Sequence, residues 1–486
     1  MTRVVIAGGG IAGLSIAHAL VHAAPEIDVI VLEARARPGG NIQSERIDGY
    51  LCEAGPDGFL DSAPATLALV DAVGLRSRLL RSRDEARRRF IYRAGRLHDV
   101  PASAGAFLKS GLLSMKGKAR LLREPLARRR PEGDESIHEF AERRLGPEAA
   151  RVMVDPMVSG IFAGDARALS LRACFPKMWH METAHGGLFR AMLARRRRGG
   201  RAGPPGAPAG TLTSFTDGME DLVRGLLDAL GDRVRTATAL TAVRERTRTV
   251  AGPRRVGARA FSVMAGDEPI EADAIVLAGP SVDSAELVRP FDPALASALA
   301  SISGAPIAVV CVGYDAAALV ADRGPLDGFG FLAPRGEGVR ILGALWETSI
   351  YDGRAPAGRA LLRVMIGGAT DPDAVELDES RLLALARTDL CRTMGIRIGP
   401  EFVHIVRHRR GIPQYTIGHD GRVAEIEAML RRHPGLFVAG NSYRTPSINA
   451  CIEAAAPLAA GIVEHLRTTI ASTCGVECPA AEKRIS

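Results

Sequence analysis

The sequence predicts an α/β fold that opens with a parallel βαβ unit. Three observations predict it: an apolar run at residues 4–7, a glycine triplet that opens a helical pattern over residues 8–14, and a second apolar run at residues 29–32. Parallel strands are buried on both faces, which explains the unbroken Val and Ile character of these runs. Two later apolar runs, at residues 273–278 and 436–440, predict further buried strands that could join the same sheet.

Length and composition exclude several classes of protein. The 486 residues are enough for about three folding units. Hydrophobic residues make up 47% and charged residues 24%, which excludes collagen-like, coiled-coil and natively unfolded chains. The net charge is +8, but acidic residues are interspersed almost everywhere, so nucleic-acid binding is not expected. The seven cysteines are scattered without a C-x-x-C pair, which indicates a reducing cytoplasm and neither a disulfide framework nor a structural zinc site.

The glycine triplet belongs to a dinucleotide-binding pattern, G-x-G-x-x-G, at residues 8–13. Gly8 allows a tight turn, Gly10 lets backbone N–H groups approach a pyrophosphate, and Gly13 lets the following helix pack closely. Glu33 ends the second apolar run, 20 residues after Gly13, where a carboxylate accepts hydrogen bonds from an adenosine ribose. NAD and FAD both bind through this pattern, and a glycine-rich turn without a ligand is the other alternative. The predicted contacts are Gly8, Gly9, Gly10, Ile11, Ala12, Gly13 and Glu33.

The next two segments favour FAD over NAD by resemblance. Residues 33–40, EARARPGG, resemble the E-A-x-x-R-x-G-G extension of the flavin-dependent amine oxidase superfamily, in which a second loop wraps the diphosphate. Residues 53–59, EAGPDGF, look like that superfamily's turn beside the flavin ring. The further cofactor contacts that this resemblance implies are Ala34, Arg37, Gly39, Gly40, Asn41, Gly55, Pro56, Asp57, Gly58, Leu240, Gly440, Asn441, Ser447, Ile448 and Asn449.

Several more segments narrow the resemblance to the oxygen-dependent protoporphyrinogen oxidases of haem biosynthesis. They include RFIY at residues 89–92, GIFAGD at 160–165 and GIPQYTIGH at 411–419. The last segment is not expected in monoamine oxidases or phytoene desaturases. The other matching segments lie at residues 97–101, 135–146, 169–170, 215–219, 328–334 and 366–369.

This family resemblance implies a molecule of three parts. They are a discontinuous Rossmann-type FAD-binding domain, an α+β substrate domain and a helical membrane-associated domain. The expected boundaries are 1–86, 211–288 and 414–467 for the FAD-binding domain, 87–98 and 289–413 for the substrate domain, 99–210 for the helical domain with a mobile loop at 195–210, and 468–486 for a frayed tail.

Residues 99–130, here named the basic amphipathic segment, alternate apolar and basic side chains. The pattern alone allows either a lipid-binding surface or the solvated basic face of an ordinary helix, and the resemblance favours lipid. No run of about 18 uncharged apolar residues occurs, so a transmembrane helix is not expected. The expected location is the cytoplasm, peripheral on the cytoplasmic face of the cell membrane.

The reaction implied by the resemblance removes six electrons from protoporphyrinogen IX and reduces three O2 to H2O2. The flavin carries this chemistry, so no catalytic side chain and no metal is expected, and histidines 185, 408 and 419 are interpreted as structural. The substrate contacts implied are Arg89 for a propionate, Leu345 and Met365 for the pyrrole rings, and Gly164 where the backbone approaches the macrocycle. A solvated Arg89, and core packing for the two apolar residues, are the alternatives. The expected partners are the porphyrinogen, O2 and a membrane surface, with a homodimer as an open alternative.

One segment departs from the family pattern. Where the family has a glycine-rich approach to the flavin, residues 444–450 read RTPSINA, and Pro446 removes an N–H and fixes φ. Altered flavin contacts are therefore expected there. Three rival functions stay open: oxidation of coproporphyrinogen III to coproporphyrin III, another activity of the amine oxidase superfamily, and a flavin-binding scaffold without turnover.

Overall fold

The computed structural model describes residues 2–101, 103–127, 133–197, 210–245, 260–444 and 446–474. The strands are β1 Arg3–Ala7, β2 Asp28–Leu32, β3 Ser44–Ile47, β4 Tyr50–Glu53, β5 Phe59–Leu60, β6 Leu79–Arg81, β7 Phe90–Arg93, β8 Arg96–Asp99, β9 Leu212–Phe215, β10 Val234–Arg235, β11 Leu240–Glu245, β12 Phe261–Ala265, β13 Glu268–Ala272, β14 Ala274–Leu277, β15 Gly304–Asp315, β16 Gly330–Leu332, β17 Ile341–Leu345, β18 Arg359–Gly367, β19 Phe402–Pro413 and β20 Leu436–Val438.

The α-helices lie between these strands and after the last of them. They are α1 Ile11–Ala23, α2 Pro64–Ala72, α3 Ala104–Lys109, α4 Met115–Leu122, α5 Ile137–Leu145, α6 Pro147–Ala149, α7 Asp155–Phe162, α8 Leu171–Cys174, α9 Pro176–His185, α10 Leu188–Arg197, α11 Glu220–Leu230, α12 Ser281–Val288, α13 Pro293–Ala300, α14 Ala316–Arg323, α15 Glu347–Ile350, α16 Glu379–Met394, α17 His419–Leu430, α18 Ile448–Glu453 and α19 Ala455–Cys474.

A parallel sheet of five strands is the centre of the nucleotide-binding part, in the order β10-β2-β1-β14-β20. In its register Ile6 lies beside Val31 on one side and Val276 on the other. Strands β14 and β20 come from the two remote apolar runs, so the prediction that these runs join the first sheet is confirmed. Because all five strands are parallel, their carboxyl ends share one edge, which carries Gly8 and Glu33.

Both faces of this sheet are covered. Val4 and Ile6 face a core built with α1, α11 and α19, while Val5 faces a second core built with α12, α13, α17 and the antiparallel sheet β11-β12-β13. Residues 289–303, which the sequence assigned to the substrate domain, instead pack in the second core, since Leu295 and Leu299 of α13 are buried there. The apolar face of α13 therefore belongs to the nucleotide-binding part.

The second large sheet has seven strands in the order β19-β15-β18-β17-β16-β7-β8. It joins strands from residues 90–99 with strands from residues 304–413, and every pair is antiparallel except β16 with β7. One face is apolar and is covered by α16. The opposite face, here named the inner face, carries Arg363 and His408 and contacts the turn at residues 53–58.

Helices α3 to α10 form the third part, and two predictions about disorder need correction here. The mobile loop was expected from residue 195, yet α10 continues to Arg197, because arginine is a good helix former. Residues 198–209 of that loop lie outside the described residues. The frayed tail was expected from residue 468, yet α19 continues to Cys474, and residues 468–474 contain no Gly or Pro that would end it. Within the described part of the chain, no helix is long and apolar enough to cross a membrane.

Candidate functional site

The glycine turn after β1 is held at the carboxyl edge of the parallel sheet. Gly8 has φ +112° and its N–H donates to the carbonyl of Leu32 at 2.8 Å. A Cβ on Gly13 would collide with the carbonyl oxygen of Gly8 and approach Ile6 Cγ2 to 3.3 Å. Both glycines are therefore required by geometry, for the turn and for the close approach of α1, as the sequence predicts.

Glu33 lies at the end of β2 and is buried. Its carboxylate accepts hydrogen bonds from the backbone N–H of Gly9 at 2.8 Å and of Arg35 at 2.9 Å. An ionised carboxylate has about four acceptor positions, so capacity is left for the hydroxyls of a ribose. The side chain is thus fixed beside the glycine turn with an orientation set by the backbone.

A second glycine loop contacts the first. The N–H of Gly39 donates to the carbonyl of Gly9 at 2.7 Å, and a Cβ on Gly40 would lie 3.3 Å from the Cα of Gly10. Arg37 is occupied within this loop, since its guanidinium donates to the carbonyls of Pro38, Ile42 and Gly40 and to Gln43 Oε1. Arg37 therefore holds the shape of the loop. The two glycine loops together leave backbone, without side chains, facing the sheet edge.

The turn at residues 53–58 lies between this edge and the inner face of the seven-stranded sheet. A Cβ on Gly55 would collide with the carbonyl oxygen of Asn41, and one on Gly58 would lie 2.6 Å from the hydroxyl of Tyr351. Pro56 and Asp57 lie between these two glycines. The Asn41 side chain in turn donates to the carbonyl of Gly411 on β19 at 3.0 Å. The predicted flavin-side turn is therefore where the two large sheets meet.

The C-terminal segment keeps part of the predicted frame. Gly440 has φ +107°, and Asn441 accepts a hydrogen bond from the Tyr415 hydroxyl through its carbonyl. Ser447 caps α18 by accepting from Ala450 N–H at 3.2 Å. Asn449 is engaged elsewhere, since it accepts from Thr66 Oγ1 at 2.8 Å and donates to the carbonyl of Leu60 at 3.0 Å. Of the other predicted contacts, Ile11 and Ala12 begin α1, Ala34 follows Glu33, Ile448 is buried, and Leu240 begins β11. Thr445 lies outside the described residues.

These features fit a bound dinucleotide. The sheet edge offers open backbone at Gly279, where an added Cβ would meet nothing within 4 Å, and at Gly440, where the nearest atom would be 3.5 Å away. Glu33 has acceptor positions left that suit the hydroxyls of a ribose, and α1 begins directly after the glycine turn. FAD has such a ribose and diphosphate, so the residues present match the predicted cofactor.

Arg89 is distinguished from its neighbours by its lack of a partner. Arg87 pairs with Asp84 at 3.0 Å and Arg88 pairs with Asp99 and Asp327, but no carboxylate lies within ion-pair distance of Arg89 in the part of the chain that the structure describes. Its guanidinium lies over the ring of Phe329, 5.1 Å from the ring centre. Desolvation lowers the pKa of Arg89, an effect that the charge of Asp57 opposes.

The other predicted substrate residues lie on two apolar clusters next to each other. Leu345 and Phe329, the ring under Arg89, both pack against the buried cluster of Ala86, Ile350 and Tyr351. Met365 packs with Ala163 and Ile412, and a Cβ on the adjoining Gly164 would lie 2.5 Å from Leu169 Cδ1. The structure therefore brings the four predicted substrate residues to one region: Arg89, Leu345, Met365 and Gly164. Gly164 is included because its neighbour Ala163 belongs to the same cluster as Met365. The carbonyl of Ala163 accepts a hydrogen bond from the N–H of Ala369.

Sequence analysis named Asp57 as a cofactor contact but missed the group of buried charges to which it belongs. We name it the buried ion cluster; its members are Glu53, Asp57, Glu347, Arg354 and Arg363. Burial raises the pKa of Glu53 to about 7, although Arg354 and a hydrogen bond from Ser44 lower it. Burial also raises the pKa of Glu347. The available signal was the single charge in the otherwise apolar run LLRVMI at residues 361–366.

Two of the three histidines named in the sequence analysis, His408 and His419, contact backbone carbonyls. His408 Nε2 is 2.8 Å from the carbonyl oxygen of Ala54, and His419 Nε2 is 3.0 Å from that of Tyr443. Burial lowers the pKa of both imidazoles. No group of His, Cys, Asp and Glu among the described residues is arranged to hold a metal ion.

Comparison with known proteins identifies the relatives of this chain. The family model described as flavin containing amine oxidoreductase matches residues 11–462. The chloroplastic protoporphyrinogen oxidase of Oryza sativa subsp. japonica is 33% identical over 95% of this chain and 88% of its own length. The coproporphyrinogen III oxidase of Bacillus subtilis (strain 168) is 28% identical over 93% of this chain and 96% of its own length. A crystal structure from Exiguobacterium sp. 255-15, assigned as a protoporphyrinogen oxidase, superposes with a TM-score of 0.80 and 27% identity, over 96% of this chain and 99% of that chain.

Proposed function

The chain belongs to the flavin-containing amine oxidoreductase family, and from that premise we propose that it is an FAD-dependent oxidase of protoporphyrinogen IX in haem biosynthesis. The reaction removes six electrons to give protoporphyrin IX and reduces three O2 to H2O2. The observation that carries this proposal is Arg89, a cation without a carboxylate partner among the described residues, placed over Phe329 at the edge of an apolar surface.

The residues that hold FAD follow from the sheet edge. The two glycine loops, at residues 8–13 and 39–40, present backbone to the diphosphate, and Glu33 accepts hydrogen bonds from the ribose. The turn at residues 53–58 reaches from this edge to the inner face. When bound, FAD supplies the hydride acceptor for the oxidation and the route by which O2 is reduced.

The chain's own part in the reaction is placement of the substrate. A porphyrinogen is a large apolar ring system with carboxylate side chains, so it needs an apolar surface with a cation at its rim. Arg89 offers a planar guanidinium that can bind one propionate bidentately. Leu345 and Met365 supply apolar surface on the inner face. Gly164 has no side chain where Leu169 and Gln414 pack against it, and its backbone is the part that approaches the macrocycle in this proposal. No side chain is assigned to proton transfer.

The ion pairs of the nearby arginines favour protoporphyrinogen IX, which has two carboxylates, over coproporphyrinogen III, which has four. A tetracarboxylate requires more cations at the rim of the site. Beside Arg89, however, Arg88 is paired with Asp99 and Asp327. Further away, Arg335 is paired with Asp165 at 2.8 Å. Of these three arginines, Arg89 alone lacks a carboxylate partner among the described residues, which matches one bound propionate better than several.

A peripheral location on an anionic membrane belongs to the same proposal. The basic amphipathic segment exposes large apolar side chains at Leu108, Met115, Leu122 and Leu126, of which Met115 is 77% and Leu126 is 81% exposed. Lys109, Lys116 and Arg123 are exposed beside them. Apolar side chains enter the headgroup region while the cations attract anionic lipid. These exposed groups support a lipid-binding surface over the solvated basic face of an ordinary helix. They also support a location on the cytoplasmic face of the cell membrane.

The test is porphyrin fluorescence in air with protoporphyrinogen IX and coproporphyrinogen III in parallel, against an enzyme-free blank for autoxidation. Faster turnover of protoporphyrinogen IX is expected. Faster turnover of coproporphyrinogen III would assign the chain to the other pathway, for which the relative from Bacillus subtilis is the precedent. Turnover of neither above the blank, with FAD still bound, would favour the flavin-binding scaffold.

A further inference from the structure

We propose that Arg363 is a positioning residue that fixes the turn at residues 53–58 against the inner face of the seven-stranded sheet. The inference rests on the proposed function, because it gives that turn a place beside the flavin ring. It adds a residue that the family resemblance did not supply. Its basis is the set of contacts that one buried side chain on the seven-stranded sheet makes to the turn at residues 53–58 and to Glu347.

Arg363 joins the two sides of the site directly. It lies on β18, its Nη1 donates to the carbonyls of Glu53 at 3.1 Å and Gly55 at 2.6 Å, and these residues belong to the turn. In the sheet register it is the cross-strand partner of Leu345, and Met365 follows two residues later on the same face. One guanidinium therefore sets the distance between the turn and both predicted pyrrole contacts.

Two carboxylates hold this guanidinium in place. Glu347 Oε1 lies 2.8 Å from Arg363 Nε, and Asp57 Oδ2, on the turn itself, lies 3.5 Å from Nη2. Burial by itself lowers the pKa of Arg363, but these two carboxylates hold it above its ordinary value, so the side chain stays charged. The cation is thus bound from the sheet by Glu347 and from the turn by Asp57.

Stability alone does not explain a charge at this position. A buried ion pair is often no more stabilising than apolar residues of similar volume, and the neighbouring residues of β18 are Leu, Val, Met and Ile. What an apolar residue cannot do is bind two backbone carbonyls of the turn. Hydride transfer depends steeply on the distance between donor and acceptor, so a turn displaced by about 1 Å is expected to slow it.

Arg144 offers a matched control in the helical part. It is fully buried, pairs with Glu124 at 3.3 Å and Glu182 at 2.8 Å, and donates to the carbonyl of Gly186 at 2.8 Å. It therefore resembles Arg363 in burial, in its two carboxylates and in its bond to a backbone carbonyl. No contact links it to the turn at residues 53–58 in the described part of the chain.

The experiment compares Arg363→Met, Arg363→Lys and Arg144→Met as full-length proteins. FAD affinity is measured by titrating the apoprotein and following flavin fluorescence, the flavin environment by visible circular dichroism, and catalysis by kcat and KM. Arg363→Met is expected to weaken FAD binding and lower kcat by about tenfold each, to change the dichroism and to leave KM within about threefold. Arg363→Lys, which retains the charge, is expected to recover part of each loss. Arg144→Met is expected to lower Tm but leave all flavin readouts unchanged.

The proposal is overturned if Arg363→Met lowers Tm while FAD affinity and dichroism stay at the wild-type values, as for Arg144→Met. If Arg363→Met does not fold, Arg363→Lys and Glu347→Gln decide by the same readouts, and wild-type values in both would refute the positioning role. If the wild-type protein oxidises neither porphyrinogen, the proposed function fails, but FAD affinity and dichroism still test Arg363.

Discussion

At the scale of single residues, the arginines near the candidate site differ in whether they have a carboxylate partner. Arg88 has carboxylate partners, whereas Arg89 lies over an aromatic ring and has no carboxylate partner among the described residues. Arg89 is exposed, so its guanidinium is accessible to a carboxylate ligand. Arg89 is thus prepared for an anionic ligand, which the sequence run Arg87–Arg89 alone did not reveal.

Replacing Arg89 by Ala is expected to raise KM for protoporphyrinogen IX by about ten- to a hundredfold and to change kcat little, because a charge-assisted hydrogen bond contributes about 1.5–3 kcal/mol to binding. Steady-state kinetics measures both constants. Arg87→Ala is the control, since Arg87 is exposed and pairs with Asp84, and it should leave KM unchanged. Equal losses of kcat and kcat/KM in Arg89→Ala would contradict a binding role.

Glu53 predicts a pH dependence of stability. Its pKa of about 7 lies above the ordinary value of 4.5, so the folded protein holds its proton more tightly than the unfolded chain. The associated stabilisation is complete below pH 4.5 and is lost as the pH rises through 7, by up to about 3 kcal/mol. Compared with Glu53→Gln, the wild-type protein should therefore lose stability between pH 5 and pH 8. Urea midpoints with excess FAD measure this difference, and a constant difference would show that Glu53 is ionised throughout.

At the scale of elements, the βαβ unit depends on the close approach of α1 to the glycine turn. Gly13 is the position where that approach excludes a side chain, since its Cβ would occupy the place of the Gly8 carbonyl oxygen. Helix α19 packs on α1 from the same side of the sheet. A displaced α1 consequently affects both the diphosphate site and the core.

Gly13→Ala is expected to weaken FAD binding by at least about tenfold, because the added methyl group displaces α1 from the turn. Titration of the apoprotein with FAD measures the effect. Gly461→Ala in α19 is the matched control, since its Cβ would meet nothing within 4 Å, and alanine is the better helix former. This control should bind FAD normally, and equal FAD affinity in the two variants would contradict the assigned role of Gly13.

At the scale of the whole molecule, the packed helices of the third part expose the apolar and basic side chains of the basic amphipathic segment. Lys118 shows how that surface is fixed, because its buried ammonium donates to the carbonyls of Leu108 at 2.8 Å and Ser110 at 2.6 Å. This ties α4 to the end of α3. The exposed Leu108 and Met115 are thereby held on a structured surface.

Met115→Glu combined with Leu126→Glu is expected to weaken binding to vesicles of anionic phospholipid at least about threefold, because two apolar anchors are lost and two negative charges are added. Vesicle co-sedimentation measures the bound fraction. Val320→Glu is the control, since Val320 is exposed on α14 of the seven-stranded sheet's domain, away from this surface. Equal binding by both proteins would remove the support for a lipid contact.

The amino-acid sequence by itself determined the βαβ unit, the glycine turn after β1 and the position of Glu33 at the end of β2. These features depend on short-range patterns. Buried parallel strands appear as unbroken runs of Val and Ile, and the glycines stand where a side chain would clash with nearby backbone. The remote strands β14 and β20 were recognisable for the same reason. The boundary of the tail was less predictable, because a helix such as α19 can continue past the loss of its apolar period when no residue breaks it.

Only the tertiary structure decided which charges are paired. Arg363 lies 3.5 Å from the carboxylate of Asp57, which is remote in sequence. Arg88 pairs with Asp327, 239 residues away, whereas its neighbour Arg89 has no carboxylate partner among the described residues. No local pattern carries such information. Charge pairing depends on distances that exist once the chain has folded, and the energies of buried charges depend on the solvent that folding has removed.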